Sequence, residues 1–235
     1  MPDLFGDSDE PEVIVAIRPT QRDANRATIR VGRKGDSATP GRKKPRVVAT
    51  LTVRRIADLD LQVGQVWNDE LAEAVEANVG IDKAMRSAMN RLSQRAMTGW
   101  MLRDKLKRQG HEHVVIDQVL ERLAELDLLD DEQFGRALIR DTMSRKPAGP
   151  ALLKQKLYQK GIRGSMADRL VSEATSDRDE QAEGAIAFAL KKAASMANLD
   201  KTTRDRRLYG QLARRGFGPD TIRAAMDAVK RGGDE

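Results

Sequence analysis

The chain has 235 residues, enough for one or two domains, with no cysteine, 33% charged residues and a formal net charge of +6. The missing thiols exclude disulfides, thiolate nucleophiles and cysteine metal sites, and they point to a reducing compartment. Aromatic residues are 3% of the chain and scattered, which argues against a protein that stacks nucleobases on aromatic platforms.

The N-terminal MPDLFGDSDEPEV is acidic and has no basic segment followed by an apolar run, so it does not read as a secretion signal. No stretch approaches eighteen apolar residues, and a cytoplasmic protein without a membrane span is expected. Residues 1–44 have weak periodicity, and VGRKGDSATPGRKKP is turn and linker composition; the segment reads as a disordered extension. In 45–80, RVVATLTV (46–53) reads as a short strand that pairs with LQVGQVW (61–67) through an acidic turn at Asp58–Asp60. NDELAEAVEANVG (68–80) then reads as a helix with Asn68 at its N-cap.

From Ile81 onward the pattern is helical and it repeats. LRDKLKRQG (102–110), LKQKLYQKG (153–161) and LYGQLARRG (208–216) each place leucines four residues apart and a glycine four residues later, at offsets of 51 and 55. Helices at about 81–97, 131–145 and 178–198 precede the three units, and a further apolar pattern follows each glycine. Three helices in roughly fifty residues, used three times, is the signature of tandem helical units. The reading is all-α: three-helix repeats over 81–129, 130–177 and 178–235, stacked as an elongated, curved solenoid. Thr98, Gly149–Pro150 and Thr202–Thr203 are the expected starts of the three middle helices.

The second repeat opens with LDDEQFGRALIR (129–140). With Asp130 at the N-cap, Gln133 takes the third helical position of a capping box, and Leu129 and Phe134 take the two positions of a hydrophobic staple. Asp131 and Glu132 fall in the first turn, where negative charge opposes the positive end of the helix dipole. A catalytic carboxylate pair needs partners, and no nearby histidine or lysine constellation supplies them. His111 and His113 lack the i, i+4 spacing of a helical metal site. No catalytic, metal or cofactor residue is therefore assigned, and the chain does not read as an enzyme.

LDDEQFGRALIR resembles the central signature of the RecX family: leucine, two aspartates, an aromatic, a small residue, an arginine (Arg136) and a second arginine four residues on (Arg140). LRDKLKRQGHEHVVIDQVLERLAELDLLDD (102–131), GPALLKQKLYQKGI (149–162) and LARRGFGPDTIRAAMD (212–227) resemble the cores of that family's three repeats. Phe134 and Gly135 depart from it, standing where tyrosine and alanine are usual. The resemblance covers about 81–230 and implies a cytoplasmic, monomeric regulator of the RecA recombinase. Such a regulator binds the RecA filament on single-stranded DNA along its helical groove. It dampens ATP hydrolysis, strand exchange and the co-protease action on the SOS repressor.

Charge adds a candidate surface. The three middle segments, 99–110, 152–161 and 204–216, carry twelve basic and two acidic residues, a net +10 in a chain of net +6. The partner-binding strip expected from this bias comprises Arg103, Lys105, Lys107 and Arg108; Lys154, Lys156 and Lys160; and Arg206, Arg207, Arg214 and Arg215, with Arg140 of the signature. The alternative is a non-specific DNA-binding protein of helix–turn–helix units. There the helix after each glycine enters the groove, but in the first repeat that helix carries Asp117, Glu121 and Glu125, which phosphate repels.

Overall fold

The computed structural model describes residues 10–34 and 44–232. Residues 1–9 and 35–43, both within the expected extension, lie outside the described residues. The chain forms two compact units. One takes its residues from the chain up to Ser93 and from Leu106–Arg122; the other takes Gln94–Lys105 and Leu123 onward.

In the first unit, β1 (Val13–Pro19), β2 (Arg26–Gly32) and β3 (Arg46–Thr52) form an antiparallel sheet in the order β1–β2–β3. β1 and β2 lie where a disordered extension is expected from the sequence. Their alternation explains the difference: Ala27, Ile29 and Val31 are buried while Arg26, Thr28 and Arg30 occupy the other face. Arginine at every other outward position hides a half-buried strand from a reading based on continuous apolar runs.

The expected pairing of 46–53 with 61–67 does not form. Thr52 caps a short helix, α1 (Val53–Asp58), by accepting from Arg55 N at 3.3 Å, so the acidic turn closes a helix and not a hairpin. The segment after it lies instead beside β1. Ile14 N donates to Gln65 O at 2.9 Å and Trp67 N to Glu12 O at 2.8 Å, before Gly64 (φ +95°) interrupts the run.

α2 (Asp69–Leu92) is continuous through Gly80, where the sequence suggests two helices. Its first half packs Leu71, Val75 and Val79 on the sheet, together with Ile14, Ile29 and Leu51. Its second half is the first helix of repeat one. Buried Asp82 joins α2 to the sheet by accepting from Thr52 N at 3.0 Å and facing Arg26 Nη1 at 3.6 Å.

The remaining helices are α3 (Gly99–Arg108), α4 (His113–Glu125), α5 (Asp131–Arg145), α6 (Pro150–Gln159), α7 (Gly164–Ala174), α8 (Arg178–Ala194), α9 (Lys201–Arg214) and α10 (Pro219–Arg231). The chain is thus mostly helical, with tandem three-helix groups. The leucine pairs Leu102/Leu106, Leu153/Leu157 and Leu208/Leu212 are all buried, as are Ile116, Ala167 and Ile222 after the glycines. α5–α7 close one core around Leu153, Leu157, Ile162 and Leu170. α8–α10 close another around Ala185, Leu208, Leu212 and Ala225.

Asp82→Ala should cost about 2 kcal/mol, because it leaves the half-buried Thr52 N–H without an acceptor and Arg26 without its carboxylate. Urea denaturation checks this, and Asp82→Asn, which keeps an acceptor, should lose less.

Candidate partner-binding surface

The middle helices α3, α6 and α9 end alike. Gly110, Gly161 and Gly216 have φ of +84°, +84° and +81°. In each turn the residue after the glycine donates to the second leucine of the pair: His111 N to Leu106 O (3.3 Å), Ile162 N to Leu157 O (3.0 Å) and Phe217 N to Leu212 O (3.4 Å). The glycine N–H itself donates three residues back, to Lys107 O, Tyr158 O and Ala213 O. This is the Schellman arrangement, which needs a left-handed residue at the glycine position.

Two of these turns receive the start of the preceding middle helix. Thr98 is fully buried; its Oγ1 donates to Lys160 O at 2.6 Å and accepts from Met101 N at 3.2 Å, capping α3. One repeat later, Gly149 N donates to Arg215 O at 2.9 Å and Ala151 N to Gly216 O at 3.2 Å. Thr98 and Gly149 are equivalent positions, as are Lys160 and Arg215. The N-terminus of α3 therefore rests on the last turn of α6, and the N-terminus of α6 on the last turn of α9. A β-carbon on Gly161 would stand 2.3 Å from Trp100 Cβ. Gly149 and Gly216 would each meet the other strand of the second junction in the same way. The start of α9 has its own cap: Asp200 accepts from Thr203 N at 2.9 Å, so the expected Thr202–Thr203 start lies just inside the helix.

The signature residues serve these junctions and the repeat-two core. Asp130 Oδ1 caps α5 by accepting from Gln133 N at 2.8 Å. Asp131, expected to act only on its own helix dipole, accepts from Gly99 N at 2.7 Å. Burial raises its carboxyl above the usual range, and the Gly99 hydrogen bond opposes that rise. Leu129 Cδ2 lies 3.4 Å from where a β-carbon on Gly99 would stand. Phe134 packs, half-buried, on the α5–α7 core. Arg136 is bound within the fold: it donates to Glu132 at 2.8 Å and to Glu173 at 2.6 Å, while Arg169 grips the same Glu132 at 2.7 and 3.0 Å. The hydrogen bonds from Arg169 and then Arg136 hold the Glu132 carboxyl down to about 2.

The basic residues divide by environment. Lys154 pairs with Asp168 of α7 at 2.5 Å and lies 5.7 Å from the Tyr158 ring centre, and the Asp168 bond raises its pKa. Lys156 and Lys160 are half-buried; Arg140, Arg206, Arg207 and Arg214 are exposed. Arg103 and Lys105 are half-buried on α3, Lys107 and Arg108 exposed, and Arg103 and Arg108 each have an interaction partner. Arg215 is turned into the second junction. Its guanidinium donates to Pro147 O and Lys146 O, and burial lowers its pKa. In register, Arg103 matches Lys154 and Lys105 matches Lys156, but Tyr209 and Gln211 hold those places in repeat three, whose charge moves to Arg206, Arg207 and Arg214. The junction role of Arg215 leaves no trace in the spacing, because the carbonyls it binds lie 68 and 69 residues away.

Comparison with known proteins follows the same division. Models of the first, second and third three-helix domains of RecX match residues 84–123, 130–170 and 179–226. The regulatory protein RecX of Prosthecochloris aestuarii is 37% identical over 147 residues, which are 63% of this chain and 93% of that protein. That of Geobacillus kaustophilus is 26% identical over 215 residues, 91% of this chain and 76% of the relative. A crystal structure of regulatory protein RecX shares the fold with a TM-score of 0.77 at 21% identity, covering 92% of this chain and 99% of that one. A RecX structure from Lactobacillus salivarius gives 0.56 at 24% identity, over 64% and 97% of the two chains.

Two measurements separate the parts of this design. Gly110→Ala should cost about 1 kcal/mol from its left-handed backbone alone, since nothing lies within 4 Å of the added carbon. Gly161→Ala should cost at least twice that, roughly 3 kcal/mol, because Trp100 must also move; chemical denaturation of both variants compares them. The Glu132 carboxylate contributes fully above its ordinary value of 4.5, and the contribution is lost as pH falls from there to about 2. Glu132→Gln should therefore lower the melting temperature slightly at neutral pH, with the gap to wild type closing across that acid window.

Proposed function

The chain belongs to the RecX family, and from that premise we propose that it is a non-enzymatic regulator that binds the RecA filament on single-stranded DNA. It seats the three-helix repeats in the filament groove and slows RecA ATP hydrolysis, strand exchange and SOS co-protease action. The observation that supports this reading most is the head-to-tail order of α3, α6 and α9, which carries basic residues from one repeat to the next. Arg103 and Lys105 on α3 stand in register with Lys154 and Lys156 on α6, and Lys160, Arg206, Arg207 and Arg214 extend the series. Filament-bound DNA and an acidic groove both attract such a series, and association then depends on ionic strength.

The non-specific DNA-binding alternative is weaker. It presents the helix after each glycine to phosphate, and α4 is acidic there, with Glu121 and Glu125 exposed. Arg215 is left out of the proposed contact set because its guanidinium is committed to Pro147 O and Lys146 O.

Titrating the protein into a RecA–single-strand DNA reaction should slow ATP hydrolysis. Inhibition at substoichiometric amounts favours capping of filament ends, since few ends govern many subunits, and stoichiometric inhibition favours groove occupancy. Charge reversal at Lys154, Lys156 and Lys160 should weaken filament binding by about tenfold at low salt, less at high salt. The melting temperature should change little, because the Lys154–Asp168 pair is exposed on both sides. Equal low-salt affinity of variant and wild type would reduce the series to a solvated face.

A further inference from the structure

We infer that the outer face of the N-terminal sheet is a second binding site, one for the phosphate backbone of nucleic acid. The face is built by alternation. Arg26, Thr28 and Arg30 project from β2 opposite the buried Ala27, Ile29 and Val31. Arg18 of β1 is the register partner of Thr28 and so shares that face. The β1–β2 connection adds Arg22 and α2 adds Arg86, and the five guanidinium groups line one concavity.

Their pairing state is what points to a ligand. Arg26 is braced, donating to Thr50 O at 2.7 Å and facing Asp82 at 3.6 Å. Arg18, Arg22, Arg30 and Arg86 are exposed, and among the described residues none of their guanidinium groups has a hydrogen-bond or ion-pair partner. The one acid in the concavity, Asp23, is occupied by its own turn, accepting from Asn25 N at 2.9 Å. Four guanidinium groups outside any ion pair, set against the single Asp23 carboxylate, leave the concavity with a positive excess that an external polyanion relieves.

The lining also selects the class of polyanion. A protein partner needs apolar anchors at the centre of its interface, and a small-molecule site is mostly apolar. Here Pro19 is the one apolar side chain in the lining. Protein–nucleic acid interfaces are polar and strongly positive, and guanidinium groups bind phosphate oxygens in pairs. Arg26 and Arg30 are about 14 Å apart along the strand, at roughly 3.4 Å per residue, with the Thr28 hydroxyl midway. That spacing suits a polymer with repeated charges better than one isolated phosphate. Among the described residues no aromatic ring lines the concavity, so the contact is to the backbone and indifferent to base sequence.

The test is fluorescence anisotropy of a labelled single-stranded oligonucleotide with the full chain across a salt series. It contains no recombinase, so its outcome is independent of the filament reading. The variant is Arg18→Gln/Arg22→Gln/Arg30→Gln/Arg86→Gln, with Arg26 kept for its bond to the sheet. Affinity should fall about tenfold or more at low salt. The dependence of log affinity on log salt should become shallower by about 2–3, at roughly 0.7 for each lost single-strand phosphate contact. Circular dichroism checks the fold. If the quadruple variant melts early, the pairs Arg18→Gln/Arg22→Gln and Arg30→Gln/Arg86→Gln are measured separately, each expected to give about half of that change in slope. Unchanged affinity and slope in folded variants would overturn the proposal. So would an acidic peptide that binds as tightly as the oligonucleotide and with the same dependence on these arginines, which would make the site a protein contact.

Discussion

A glycine with φ near +80° ends each middle helix, and at two of the three ends it carries two duties that no other residue combines. It turns the chain so that the next helix packs back on the leucine pair, and at Gly161 and Gly216 its bare α-carbon admits the start of another middle helix to van der Waals distance. The two duties reinforce each other. Helix starts leave N–H groups without partners and helix ends leave carbonyls, and setting one on the other satisfies both in a space too tight for water. Gly149 N on Arg215 O and Ala151 N on Gly216 O do this directly, while Thr98 reaches Lys160 O through its hydroxyl and Asp131 takes up Gly99 N. The helix dipoles then run head to tail, an orientation in which the positive end of one meets the negative end of the next.

Within this frame the repeats differ in the side chains that meet between the first and third helices. Ala84, Gly135 and Ala185 hold equivalent places on the first helices, all buried. In repeat two a β-carbon on Gly135 would stand 2.6 Å from Leu170 Cδ1. In repeat three the place of Leu170 is taken by Ala225, and the first helix carries alanine at 185 and 189. The bare α-carbon of Gly135 leaves room for the Leu170 side chain, whereas repeat three packs two alanines, Ala185 and Ala225, at the equivalent places. The departure from alanine at Gly135 is therefore a packing choice set by Leu170, and it brings no chemistry to the signature.

The helical half of this architecture is legible in the sequence because its determinants are local. Leucines four apart, a glycine four later and a cap at the right distance are each contained within a single turn or two, and repetition multiplies the signal. What escapes is non-local. The sheet is hidden because β2 alternates arginine and threonine with its apolar residues, and its partner β3 begins fourteen residues after β2 ends, across a segment of turn composition. The run 61–67 has strand-like residues but sits beside β1, a pairing across about fifty residues that no spacing announces. At the candidate surface the same limit applies. The charge bias of the middle helices is plain from counting, whereas the commitment of Arg215 to Pro147 and Lys146, of Lys154 to Asp168 and of Arg136 to Glu132 and Glu173 depends on contacts between helices.

If the proposed function holds, these commitments bear on how the partner meets the surface. Had every basic residue been free and in register, binding energy would accumulate evenly from repeat to repeat. Instead the matched positions 103/154 and 105/156 give way to Tyr209 and Gln211 in repeat three, where Arg206 and Arg207 lie at the middle of the helix and Arg214 at its end. The exposed Tyr209 offers a polar-tipped aromatic face where the other repeats offer charge. Long-range attraction tolerates such displacement, since a charge moved by one helical turn still lies within a Debye length of about 8 Å of its former place. Short-range hydrogen bonds do not tolerate it. On the proposed function, electrostatics along the middle helices suits capture and retention of a charged partner, and the exposed Tyr209 is an uncharged position that could contribute to its register.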